Sequence, residues 1–74
     1  MNKHQEELLE LAEMEYKLWS YVDSNAGHYR IWVMSGEVII TVDLLGEEVY
    51  EESSTCKYLA LRFVLNHYGL LGEA

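Results

Sequence analysis

The sequence predicts an α+β fold of two layers, in which two helices pack on a three-stranded antiparallel sheet in the order α-β-β-β-α. Three observations support this prediction: an amphipathic segment towards each end, a central stretch rich in β-branched and aromatic residues, and turn residues between them. The 74 residues suffice for one modest core, so a single domain over 1–74 is expected.

The first helix is predicted over 6–22, because apolar residues recur at helical spacing and acidic residues lie on the opposite side. The apolar stripe contains Leu8, Leu11, Ala12, Leu18, Trp19 and Val22. Glu15 interrupts this stripe, and two interpretations are open. Glu15 either reaches water beside the stripe or is buried and paired with Arg62 or His67.

A β-hairpin is predicted over 28–43, because two runs of β-branched and aromatic residues flank Ser35 and Gly36. With these two residues as the loop, one face pairs only apolar or aromatic residues: Tyr29 with Val42, Ile31 with Ile40, and Val33 with Val38. A three-residue loop would instead place Val33 opposite Glu37. The pattern favours the two-residue loop, although serine is a poor occupant of its first position.

A short third strand is predicted over 48–51, after a turn at Gly46. In this register Val49 faces the core beside Val42, and Tyr50 lies on the outer face. The glutamates of this strand suit a sheet edge, where charge discourages pairing with another chain.

The second helix is predicted over 54–68, with hydroxyl residues at 53–55 to cap it. One apolar face contains Cys56, Leu59, Ala60, Phe63, Val64 and His67. A second apolar face contains Tyr58, Leu61, Leu65 and Tyr68. Because a helix that is apolar on most sides must be covered on more than one side, we predict that the second face is an interface in a homodimer. On the first face, Cys56 is predicted to be buried and slow to react.

Composition and charge limit the kinds of partner and compartment that the chain can be expected to have. Thirteen acidic and five basic residues give a formal net charge of −8, which disfavours direct nucleic-acid binding and favours a protein partner with a basic surface. A single cysteine permits no intramolecular disulfide and suits a reducing cytoplasm. No apolar run approaches the roughly 18 residues of a membrane span, so neither a membrane anchor nor a signal peptide is expected.

Catalytic and metal motifs are weak throughout. His4, His28 and His67 lie on different predicted elements, and Cys56 has no neighbouring ligand at a zinc-site spacing. The hydroxyls at 53–55 have no adjacent base. We therefore expect no enzymatic activity, no metal and no cofactor.

Two surface features predict binding instead. The first is an aromatic patch of Trp32, Ile39 and Tyr50 on the outer sheet face, unless the first helix covers that face or the exposed aromatic residues are merely scattered and have no role. The second is a pair of acidic clusters: Glu6, Glu7, Glu10 and Glu13 on the first helix, and Glu47, Glu48, Glu51 and Glu52 around the third strand. Such clusters either imitate nucleic-acid phosphates in a basic groove or simply keep the protein soluble.

The predicted layout resembles the double-stranded-RNA-binding domain, but Glu51 and Glu52 precede a lone Lys57 where that family needs a basic start to its last helix. In size, acidity, single-cysteine content and layout, the chain looks more like the small phage-encoded inhibitors of host defence, the anti-CRISPR proteins among them. This resemblance implies a non-catalytic inhibitor that occupies a basic or nucleic-acid-binding groove of a host protein. It implies no particular site residue. The alternative is a structural homo-oligomer with the second helix and the Trp32 face buried between copies.

Overall fold

Two helices and three strands follow one another in the order that the sequence predicts. The computed structural model describes residues 3–71, with side chains from residue 5 onward. The elements are α1 (Lys3–Ser24), β1 (His28–Met34), β2 (Glu37–Asp43), β3 (Tyr50–Ser54) and α2 (Lys57–His67). The strands form one antiparallel sheet in the order β1-β2-β3, so the predicted α+β fold is confirmed.

The hairpin has the two-residue loop. Val33 pairs with Val38 and Met34 pairs with Glu37, so the alternative of Val33 opposite Glu37 is wrong. Ser35 and Gly36 both have positive φ angles, 53° and 78°, as the twist of a two-residue hairpin requires. A left-handed serine costs about 1–2 kcal/mol, and the matched apolar pairs of one face offset that cost.

Both helices pack on one face of the sheet, the face towards which Ile40 and Val42 of β2 point. The core consists of Met14, Leu18, Val22, Ile40, Val42, Leu44, Ala60, Leu61, Val64 and Leu65. The stripe predicted on α1 is partly wrong, because Leu8 and Trp19 are exposed whereas Met14 is buried. Apolar side chains cover more than half of the circumference of α1, so periodicity alone fits more than one orientation of the helix.

The third strand lies later in the chain than the predicted 48–51. Val42 pairs with Tyr50, so Tyr50 faces the helices and not the outer side of the sheet. Val49 precedes the strand and is 60% exposed, whereas the prediction placed it in the core.

The connection between β2 and β3 explains this difference. Leu44 leaves the strand and enters the core, where it is only 2% exposed. The Glu47 N–H donates to the Leu44 carbonyl oxygen at 3.1 Å, and Gly46 adopts a φ of 82°. The connection therefore occupies residues 44–49, and the short loop that the prediction assumed does not form.

α2 begins at Lys57, three residues after the predicted start, because β3 uses Ser53 and Ser54. Cys56 is its N-cap, with extended φ and ψ of −144° and 157° and no side-chain capping bond. The predicted burial of Cys56 is wrong, because its thiol is exposed. The residue lies before the first helical turn and outside the packed side of α2.

The packed side of α2 also differs from the prediction. Leu61 and Leu65 are fully buried in the core of the single chain, whereas Leu59 and Phe63 are exposed. Tyr58 and Tyr68 are partly buried and pack against the same core. Leu61 and Leu65 were predicted as part of an oligomer interface but pack inside one chain, so that part of the assignment is wrong. The assignment of the partly exposed Tyr58 and Tyr68, and the dimer itself, stay predictions.

The exposed thiol gives a direct chemical test. We expect Cys56 to react with a thiol reagent in native buffer at nearly its rate in the urea-unfolded chain, because exposure governs access to the sulfur. The measurement is labelling followed by mass spectrometry, with Cys56→Ser as the unlabelled control. Strong protection in native buffer would restore the burial that the sequence predicted.

Candidate functional site

The outer face of the sheet is the side on which neither described helix packs. Strand alternation directs Trp32 of β1 and Ile39 of β2 to this face, where they form a cross-strand pair. Both side chains are partly exposed, and neither belongs to the apolar groups that pack against the core. The Arg30 guanidinium carbon lies 4.7 Å from the centroid of the Trp32 ring. The interpretation in which the first helix covers Trp32 is therefore wrong.

Charged side chains surround this apolar centre. One cross-strand row runs from Arg30 through Thr41 to Glu51, beside the row that contains Trp32 and Ile39. The remaining carboxylates of the outer face are Glu37 and Asp43 of β2. The outer face thus combines an aromatic centre with a mainly acidic margin.

The four glutamates around β3, hereafter the acidic edge, do not share one face. Glu51 pairs with Thr41 and points outward, whereas Glu52 pairs with Ile40 and points towards the helices. The Tyr50 hydroxyl donates to Glu52 Oε1 at 2.6 Å, so Glu52 has a structural role. The remaining two members, Glu47 and Glu48, lie in the exposed connection before β3.

The acidic cluster on α1 lies in a different place. Its residues are exposed, and Glu10 Oε1 accepts a hydrogen bond of 3.1 Å from the Tyr58 hydroxyl, near the start of α2. Glu47 lies in the connection before β3, and burial, followed by the charge of Glu47, raises the pKa of Tyr68 at the C-cap of α2. The two ends of this helix are about 16 Å apart. The structure therefore does not unite the two predicted clusters in one patch.

Glu15 is a partly exposed ion-pair partner. Lys57 Nζ lies 2.9 Å from Glu15 Oε1, and the Tyr29 hydroxyl donates to Glu15 Oε2 at 3.4 Å. Burial, followed by the nearby Glu15 carboxylate, raises the pKa of Tyr29. The partners predicted for a buried Glu15, Arg62 and His67, are wrong, and its carboxylate links α1 to both β1 and α2.

A cluster of rings, which the sequence did not reveal, joins three elements. The rings of Tyr50 and His67 stack at 3.8 Å, and Tyr68 lies 5.7 Å from Tyr50 and 5.1 Å from Tyr21. The residues come from α1, β3 and the end of α2, so no local spacing could have indicated the cluster. Tyr50 therefore belongs to packing between the layers and not to the outer aromatic patch.

The alkaline titration of Tyr50 tests this placement. Burial and, next, the hydrogen bond to Glu52 raise the pKa of Tyr50 from 10.0 to about 12. The stabilisation of the folded state by the neutral Tyr50 hydroxyl is complete below pH 10, where the hydroxyl is protonated in both the folded and the unfolded chain. This stabilisation is lost as pH rises towards 12. We expect the free energy of unfolding to fall over this range, and to fall less steeply in Tyr50→Phe. Tyrosinate absorbance, compared between the two proteins, checks the titration; a Tyr50 that ionises near pH 10 would contradict it.

Among residues 3–71, no group of three His, Cys, Asp or Glu side chains is arranged to hold a metal ion. The His4 side chain lies outside the described residues, and His28 and His67 lie on β1 and α2. Within the same range, neither helix has the length and apolarity to cross a membrane. Comparison with protein-family models, with curated proteins and with solved structures finds no match to this chain.

Proposed function

We propose that the protein is a non-catalytic binding protein that docks its outer sheet face and its acidic edge on a basic surface of a partner protein. The observation that supports this most directly is the outer face, where Trp32 and Ile39 are partly exposed within a mainly acidic margin. Tryptophan anchors are frequent binding hot spots. Complementary charge around such an anchor speeds the encounter and selects the partner.

The size of the outer face explains why the acidic edge must contribute. Strands of seven, seven and five residues give a projected area of roughly 300 Å², at about 3.4 Å per residue and about 4.8 Å per strand. A standard interface buries about 800 Å² on each partner. The connection over residues 44–49 and the carboxylates along β3 extend the outer face on one side and supply the missing contact area.

The partner class follows from the charge. A chain with a formal net charge of −8 suits a groove rich in arginine and lysine, and grooves that bind nucleic acid have this composition. The function proposed is therefore inhibition of a nucleic-acid-binding protein by occupation of its groove, the mode of action implied by a general likeness to anti-CRISPR proteins in size, acidity and layout. The competing homo-oligomer loses Leu61 and Leu65 from its predicted α2 interface, because both side chains are fully buried within one chain.

Charge reversal tests the proposal. The triple variant Glu47→Lys, Glu48→Lys and Glu51→Lys spares Glu52, whose carboxylate bonds Tyr50. We expect it to weaken partner binding by at least tenfold, or about 1.4 kcal/mol, and binding of the wild-type protein to weaken steeply with salt. Trp32→Ala is expected to weaken the free energy of partner binding by about 2 kcal/mol or more. The measurement is affinity for a partner isolated with the immobilised protein, with added nucleic acid as a competitor.

The matched control is the triple variant Glu6→Lys, Glu7→Lys and Glu13→Lys on α1. It changes the net charge by the same amount, at exposed positions outside the outer face and the acidic edge. We expect it to retain binding, with circular dichroism confirming that both triple variants fold. Equal losses in the two variants would show that bulk charge alone acts. A loss with Trp32→Ala alone would assign recognition to the aromatic centre and reject charge imitation.

A further inference from the structure

β1, one of the two edge strands of the sheet, contains no acidic residue. β1 contains Arg30 and His28 but no acidic residue, whereas β3, at the other edge of the sheet, contains Glu51 and Glu52. Charged side chains on an edge strand discourage pairing with another chain, and β1 carries no negative charge that would repel a second acidic copy. In a chain of net charge −8, the β1 edge is therefore the strand edge at which two copies approach with the least repulsion.

The backbone groups at this edge are available in a fixed pattern. The residues that flank a two-residue hairpin loop bond to each other, so Met34 and alternate residues before it direct their N–H and C=O groups towards β2. Tyr29, Ile31 and Val33 direct theirs to the free edge. Within the described part of the chain, β1 pairs only with β2, and these groups bond to no loop backbone.

We infer that the protein forms a homodimer in which β1 pairs antiparallel with β1 of a second copy, around a two-fold axis at Ile31. This register places Ile31 opposite the partner's Ile31 and Tyr29 opposite the partner's Val33. All three residues then exchange hydrogen bonds across the axis, giving six bonds and one continuous sheet of six strands. A register centred on Arg30 or Trp32 forms only four such bonds and leaves one of the three residues on each protomer outside the ladder. The register centred on Arg30 also places the two Arg30 guanidinium groups directly opposite each other.

Side chains on both faces fit this register. Val33 is 69% exposed although it points to the helix side of the sheet. A groove of about 210 Å³ opens at the other end of the same edge, lined by Trp19, Val22, Asp23, Gly27, His28 and Tyr29. Because Tyr29 lies opposite the partner's Val33, the valine side chain enters this groove beside Trp19. On the outer face, Arg30 lies opposite the partner's Trp32, where a second cation–π contact forms.

The inferred dimer does not depend on the proposed function. Dimerisation and partner binding are expected to respond to salt in opposite directions, which distinguishes them. The contact is mainly apolar and joins two strongly acidic copies, so screening should strengthen it. Binding of the acidic edge to a basic partner should weaken with salt. The edge is about 24 Å long, so the area that it buries is smaller than that of a standard interface. We therefore expect a dissociation constant in the micromolar range.

Sedimentation of the full chain across the micromolar range tests the inference. We expect a monomer–dimer equilibrium that shifts towards dimer in high salt. Val33→Glu should weaken association by at least tenfold, because it places a carboxylate against the partner's Tyr29. Val49→Glu is the matched control, since this valine is also exposed, at 60%, and lies before β3. A wild-type monomer at high micromolar concentration in high salt would overturn the inference, and so would equal effects of the two substitutions.

Crosslinking fixes the register independently. In a Cys56→Ser background, Ile31→Cys should form an intermolecular disulfide readily, because paired residues at the axis have Cα atoms about 5.5 Å apart. Val33→Cys should not, because the two copies of residue 33 lie about 14 Å apart in this register. Preferential crosslinking at residue 33 would reject the axis at Ile31.

Discussion

Replacing Leu61 by alanine is expected to lower the free energy of unfolding by about 2–5 kcal/mol. Leu61 is fully buried among the side chains of α1, β2 and α2, so its removal leaves a cavity that the surrounding side chains fill only in part. A core of this size seldom supplies more than about 3–5 kcal/mol in total. The variant should therefore be largely unfolded at physiological temperature.

Leu59→Ala is the matched control, because it removes the same atoms from the same helix. Leu59 is 39% exposed, and its replacement should cost about 1 kcal/mol or less. Urea unfolding followed by circular dichroism measures both variants against the wild type. A larger loss of unfolding free energy in Leu59→Ala than in Leu61→Ala would show that the helix face containing Leu59 packs in the core.

The pair Leu59 and Leu61 shows where prediction from sequence fails. α2 is apolar on most of its circumference, so helical periodicity does not choose which side packs. The hairpin is the opposite case, because a slip of one residue would move all its apolar side chains to the wrong face. Its register was therefore predictable even against the turn preference of Ser35.

The third strand shows a different limit. Its register depends on Leu44, which enters the core and lengthens the connection to β3. Tertiary packing determines that Leu44 enters the core. The local sequence Leu44-Leu45-Gly46 is equally compatible with a short loop. The one-residue shift moved Tyr50 from the predicted outer patch into the ring cluster with His67.

The candidate site was predictable in part for the same reasons. Trp32 and Ile39 follow from the hairpin register, which strand alternation determines. The division of the acidic edge between two faces follows from the β3 register, so the sequence analysis missed it. The absence of carboxylates from β1 is visible in the sequence, but its meaning depends on β1 being a sheet edge.

Among the glycines of the described residues, Gly27 is the one where an added β-carbon would collide with neighbouring atoms. It joins α1 to β1, and its N–H donates to the Val22 carbonyl oxygen at 3.0 Å. A β-carbon at this position would collide with the Asp43 carbonyl oxygen and would lie 2.7 Å from Leu44 Cδ2. Because the first of these atoms belongs to the backbone, the end of β2 would have to move.

We therefore expect Gly27→Ala to lower the free energy of unfolding by about 3 kcal/mol, the upper end of the usual cost of overpacking. Gly46→Ala provides the control, because a β-carbon there meets no atom within 4 Å and only its φ of 82° is unfavourable. That strain costs about 1–2 kcal/mol. Urea unfolding compares the two variants, and a smaller loss for Gly27→Ala than for Gly46→Ala would contradict the close approach. Because Gly27 lines the groove beside Trp19, the same substitution should also weaken association through the β1 edge, which sedimentation measures in parallel.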